Sequence, residues 1–163
     1  MIVNSRDFLG GARLLIIQGI TGAGLSMAYD NTALHIAVEN GCTEIVKFLI
    51  DGGIDLNIQN EVGDTALHIA VEDGNTEIVK LLIDFVIDLN IKDRYDNTAL
   101  PIAVDHGYTE IVKLLIDGGI DINIQDRDGT TALHDAVRER NTEIMVLLID
   151  AGIDLNARDK VSK

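Results

Sequence analysis

Apolar and polar positions recur in blocks along this chain. The tripeptide Thr-Ala-Leu stands at Thr32, Thr65, Thr98 and Thr131, each 33 residues after the last. The same offset aligns Glu44, Glu77, Glu110 and Glu143, then Leu49, Leu82, Leu115 and Leu148, then Asn57, Asn90, Asn123 and Asn156. Within one block, Asn60 to Lys92, the pattern predicts a turn and two helices. Asn60-Glu61-Val62-Gly63 opens with an Asx side chain and ends on a Gly able to take positive φ. Thr65 is placed to cap a short helix running to Val71 and stopped by Gly74. In the next helix Thr76 is the cap candidate, and Glu77 sets a negative charge at the positive end of the dipole. Ile78, Val79, Leu81, Leu82 and Ile83 form a stripe too broad for an isolated helix pair to bury. Each unit needs a neighbour, and the small Ala37, Ala70, Ala103 and Ala136 let adjacent first helices approach. The expected architecture is an all-α solenoid of stacked helix-turn-helix units.

Five segments follow from this period: a degenerate capping half-repeat at 1–26, then units at 27–59, 60–92, 93–125 and 126–163. Ser5 to Gln18 reads as a cap helix over the first unit, with Arg6, Asp7 and Arg13 on its wet side. Several positions break the pattern. Phe85 and Val86 replace the pair Gly52 and Gly53, and because a β-branched residue suits the left-handed region poorly, that loop is expected to change geometry. Arg140 replaces Gly41, Gly74 and Gly107, which predicts an altered inter-helix turn. Val146 replaces Lys47, Lys80 and Lys113, although a terminal unit should become more polar. That end is expected either to continue into further chain or to pack on something. Pro101 replaces a histidine in the first helical turn, where its missing N–H is tolerated.

Composition narrows the function. The 163 residues are 47% hydrophobic and 25% charged, as in a globular chain. With 13 Lys and Arg against 27 Asp and Glu, the net charge of −14 repels phosphate backbones and anionic lipid, so neither nucleic acid nor membrane is an expected partner. Arg13 and Gln18 interrupt the most apolar stretch, which therefore reads neither as a spanning segment nor as a secretory leader. The lone Cys42 excludes an internal disulfide and any multi-cysteine metal site, and points to the cytoplasm or another reducing compartment. Its counterparts Asn75, Tyr108 and Asn141 make this column look like a variable surface position. No nucleophile, base and orienting group stand at a recognisable spacing, and no glycine-rich phosphate loop follows a strand. The chain is read as non-enzymatic, without cofactor or metal.

The DxxGxT turn, TALHIA on the first helix, NGxTEIVKLLI across the second and GGIDLN after it resemble the ankyrin-repeat family over about Met27 to Asp159. The resemblance implies helix pairs joined by β-turn or hairpin loops. It also implies that His35, His68 and His134 hydrogen-bond the turn and the adjacent unit, a bridge lost at Pro101. Neighbouring histidines about 10 Å apart could not share a metal ion.

In the family, variable turn tips and the exposed side of the first helix line a concave groove. Carried onto this register, the tips are Ala28, Tyr29 and Asn31; Glu61, Val62 and Asp64; Arg94, Tyr95 and Asn97; Arg127, Asp128 and Thr130. The helix positions are Glu39 and Asn40, Glu72 and Asp73, Asp105 and His106, Arg138 and Glu139. Tyr29, Val62, Tyr95 and His106 are the expected anchors. Acids crowd the first and middle units, whereas Arg127, Arg138 and Arg140 mark the last, so a protein with a basic or dipolar patch is the expected partner. Two other readings stand beside this one: a structural spacer or self-assembly unit, and the targeting part of a longer enzyme or effector. A monomer is expected, with the chain ends or Phe85 and Val86 as sites of any self-association. The resemblance also makes Asn57, Asn90 and Asn123 candidates for asparaginyl hydroxylation, although loop hydrogen bonding is their first expected role.

Overall fold

A computed structural model describes residues 30–160. The expected cap helix, Ser5 to Gln18, and the anchor Tyr29 lie outside the described residues. Among the described residues eight helices follow one another in four pairs: α1 (Ala33–Glu39) and α2 (Thr43–Asp51), α3 (Ala66–Glu72) and α4 (Thr76–Asp84), α5 (Ala99–Asp105) and α6 (Thr109–Asp117), α7 (Ala132–Arg138) and α8 (Thr142–Asp150). Among the described residues there is no strand. The first helix of each pair packs on the first helix of the next, and the second on the second, so the units stack into an all-α solenoid. The alanine column is buried throughout, and Val71, Ile78, Val79, Leu82, Val104, Val112 and Leu115 form a spine with no solvent contact. No buried side-chain polar atom lacks a hydrogen-bond partner among the described residues.

Three features make the stack regular. In each described turn an Asx side chain accepts two backbone N–H bonds: Asn60 Oδ1 from Val62 and Asp64, Asp93 Oδ1 from Tyr95 and Asn97, Asp126 Oδ1 from Asp128 and Thr130, all at 2.8 to 3.0 Å. Each unit also hands an amide to the one before it. The backbone N–H groups of Asp88, Asp121 and Asp154 donate to Asn57, Asn90 and Asn123 Oδ1 at 2.8 to 2.9 Å. The histidines supply the third link. Thr65 N–H donates to His68 Nδ1 at 3.2 Å, and His68 Nε2 lies 3.3 Å from the Asn97 carbonyl. A backbone N–H can only donate and a carbonyl only accept, so the proton sits on Nε2 and the ring is neutral. His35 repeats the arrangement with Thr32 and the Asp64 carbonyl. Burial pushes both imidazoles below the usual histidine range, against the smaller opposing pull of the carbonyls they touch.

The two altered turns differ from expectation. Val86 (φ +60°) and Arg140 (φ +56°) adopt the left-handed geometry of the glycines they replace. Val86 N–H bonds the Ile83 carbonyl at 3.0 Å, as Gly53 bonds Ile50 at 2.9 Å and Gly119 bonds Ile116 at 3.0 Å. Arg140 N–H bonds the Val137 carbonyl at 3.1 Å. Sterics explain why the helix-end hydrogen bonds prevail over local preference. A Cβ at Gly53, Gly119 or Gly152 would meet nothing within 4 Å, so Val86 meets only backbone strain. In the column of Arg140, a Cβ at Gly41 or Gly107 would meet only an asparagine nitrogen of the next unit at 3.6 Å, a Cβ at Gly74 would strike the Tyr108 ring at 2.8 Å, and no described unit follows Arg140.

Two expectations about the second helix also need correction. Its cap is not Thr76, which is already helical, but Asn75, whose Oδ1 accepts the Ile78 N–H at 3.1 Å; Asn141 does the same for Ile144. The column of Cys42 is thus the N-cap position, left without a side-chain cap by Cys42 and Tyr108.

Candidate functional site

The Asx turns project residues 62, 95 and 128 at the tips, and the inner helices present a second row beside them. Residues i, i+3 and i+4 share one helix face, so Ile69 lies with Glu72 and Asp73, and Ile102 with Asp105 and His106. Between the two rows is an open depression of about 560 Å³. Nine of the expected site residues line it: Asn31, Glu39, Val62, Asp64, Glu72, Asp73, Arg94, Tyr95 and Asn97. Ile69 and Ile102, which sequence reasoning missed, add apolar lining. Their spacing from Glu72 and Asp105 could have revealed them.

Tyr95 is 59% exposed, and the Arg94 guanidinium lies 5.6 Å from its ring centre in cation–π range. Asn31 Oδ1 accepts a 3.0 Å hydrogen bond from Asn60, and the Asp64 and Asn97 carbonyls receive the histidine bridges, so these three belong to the frame as well as to the rim. His106 stacks on Tyr108 at 5.3 Å, and its Nε2 is 3.7 Å from a Glu72 oxygen. Asn40, Glu61, Asp105, Asp128 and Glu139 are exposed outside the depression. Thr130 is buried in its turn and offers almost no surface.

Two arginines of the last unit are engaged locally. Arg127 Nε donates to Asp96 Oδ2 at 3.1 Å, and Arg138 pairs with Asp135. Asp135 is a residue sequence reasoning passed over. It occupies the column of Ile36, Ile69 and Ile102, and it is buried. Burial, followed by repulsion from Asp105, raises its carboxyl to about 6 against the weaker opposing pull of Arg138. Asp73 and Asp105 are also raised, by partial desolvation first and then by nearby carboxylates: Glu39 on the adjacent inner helix and the preceding Glu72 beside Asp73, Glu139 and Glu72 among those beside Asp105. A chain of mutually repelling acids therefore crosses all four inner helices.

The family model for ankyrin repeats (3 copies) matches residues 3–60, 34–126 and 85–159. The chain belongs to the ankyrin-repeat family. Ankyrin repeats are protein–protein interaction modules, and members of the family are typically non-enzymatic. No curated protein matches the sequence. Among the described residues of this ankyrin array, no three His, Cys, Asp or Glu side chains are grouped to hold a metal ion, and no helix is long and apolar enough to cross a membrane.

Proposed function

We propose that the array captures another protein in the depression between its turn tips and inner helices, and that the partner presents a basic or dipolar patch. The observation that carries this reading is the acidic chain itself. Partial burial and the neighbouring carboxylates of Glu39 and Glu72 raise the proton affinity of Asp73, and partial burial with Glu139 and Glu72 raises that of Asp105, beside an apolar strip of Ile69 and Ile102. A lysine or arginine from a partner relieves that repulsion, and its aliphatic stem covers the isoleucines. Tyr95 supplies an exposed aromatic anchor at the rim, where aromatic groups contribute strongly to binding. Arg94 beside it favours a partner carrying a carboxylate next to its basic group. A reducing compartment suits the lone Cys42.

Affinity capture tests this with the intact chain, a charge variant (Glu39→Gln, Glu72→Gln, Asp73→Asn) and an anchor variant (Tyr95→Ala, His106→Ala). The intact chain should recover partners in a salt-sensitive manner, with both variants recovering much less. Equal recovery of the same partners by all three would remove the depression as the binding site.

A further inference from the structure

The depression has a period as well as a charge. Its lining runs from Glu39 in the first unit to Ile102 in the third. Helices packed side by side lie about 10 Å apart, so this distance is two steps of the stack, about 20 Å. Each step sets the same pair of groups on one helix face: Ile36 with Glu39, Ile69 with Glu72, and Ile102 with Asp105. The acids are exposed and the isoleucines half-buried, so an acidic row and an apolar row run in parallel along the stack. Each inner helix starts at its turn, which puts the isoleucines on the side of the tips Val62 and Tyr95 and the acids farther away. The pairing stops at the fourth unit, where Asp135 takes the isoleucine's place and Arg138 the acid's.

Polyproline II backbone matches this spacing. It advances about 3.1 Å per residue with three residues per turn, so every third side chain leaves on the same edge after about 9.3 Å. A β-strand returns to one face every two residues, about 6.6 Å, and falls out of step with the units. An α-helix returns after seven residues, but a cylinder about 10 Å across occupies roughly 1,600 Å³ over two steps. The depression offers about 560 Å³. Of the three edges of a polyproline II segment, one can follow the acidic row and the second the isoleucines and tips. The third faces solvent, where proline fits because the segment makes no internal backbone hydrogen bond.

We propose that the depression binds a polyproline II segment of a partner protein that carries a lysine or arginine at every third residue, three in all, with an apolar residue beside each. The proposal rests on the depression being the site for a basic partner, and adds the conformation and spacing that the site selects. The three basic residues answer Glu39, Glu72 and Asp105, and Arg138 repels a fourth.

Fluorescence anisotropy of labelled, end-capped peptides titrated with the full chain provides the test. One peptide repeats Lys-Leu-Pro three times, a second has the same residues with its lysines adjacent, and a third is an alanine-rich helix with lysine at every seventh position. The first should bind about fivefold tighter than the second, because total charge is equal and two clustered lysines lose their matched carboxylates. Glu72→Gln changes an exposed side chain that faces the central lysine whichever way the peptide runs, and it should weaken the first peptide about threefold. Equal binding of the first two peptides, both weakened by Glu72→Gln, would overturn the spacing and leave the depression as the site for a basic partner. Tighter binding of the helical peptide would overturn the conformation in the same way. If no peptide binds, or if Glu72→Gln changes nothing, the proposal is overturned, and the depression itself falls only if the charge variant also recovers partners as the intact chain does.

Discussion

The junction between the second and third units and the junction between the third and fourth have the same backbone plan and different fastenings. At the former, His68 ties the start of its own helix to the Asn97 carbonyl of the next turn from a fully enclosed position. At the latter, Pro101 occupies the histidine's place, and the turns are joined at the surface by the Arg127–Asp96 ion pair. Buried hydrogen bonds that would leave orphans if removed are worth about 1–3 kcal/mol, whereas exposed ion pairs are worth about 0–1 kcal/mol. The fourth unit also sets the buried Asp135 against Asp105 across that junction. The comparison shows that one geometry can be held by links of unequal strength, and that an array of this kind loosens first at its weakest junction.

The largest effect should come from cutting the strong fastening. His68→Ala removes bonds on both sides of the ring and leaves a void, so denaturant unfolding should show a loss of about 3 kcal/mol. The same variant should be less sensitive to acid. Because the His35 and His68 rings have lowered affinity for protons when folded, the stability they contribute is complete above about pH 6.5 and is lost as pH falls towards their folded values.

Easing the weak junction should act in the opposite direction. Asp135→Asn should raise stability by about 2 kcal/mol at pH 8. Since the carboxyl is raised to about 6, its penalty is present above that pH and disappears as pH falls through 6 towards the ordinary aspartate range. The gain should therefore vanish in acid, and a gain that persists at pH 3 would show that charge is not its cause. Pro101→His should install the missing bridge to Thr98 and to the fourth turn, with a gain of about 1 kcal/mol and slower amide exchange in α7. The smallest effect is expected for Arg127→Ala, a loss of under about 0.5 kcal/mol that is screened by salt. A larger loss would make the surface pair, and not its missing histidine, the main fastening of that junction.

The period, the helix pairs and the buried alanine column were readable because stacking copies the same residue type at each 33-residue step. The Asx turns were readable for the same reason. Val86 and Arg140 were not, because a rule about single residues predicts a changed turn, while the closing hydrogen bonds and the empty space beside the Cβ positions decide the outcome. The cap was misplaced by one residue because Asn75 and Thr76 are both capping residues and only the backbone distinguishes them. At the candidate site, charged and aromatic side chains were visible as the positions where units disagree. Ile69 and Ile102 were not, since a repeated isoleucine reads as core until its helix face is known. Asp135 could have been found as the one acid in an isoleucine column.

The asparagine ladder also bears on how such a chain can grow or shrink. Each Oδ1 receives an amide 31 residues ahead, and every unit offers an equivalent amide at the equivalent place. Excising one period between matching positions would give Asn57 the amide of Asp121 in place of that of Asp88, with no bond orphaned and no loop rebuilt. Unequal recombination within the coding sequence therefore produces shorter or longer versions that are foldable from the outset, and the number of units becomes a trait that can change in a single event.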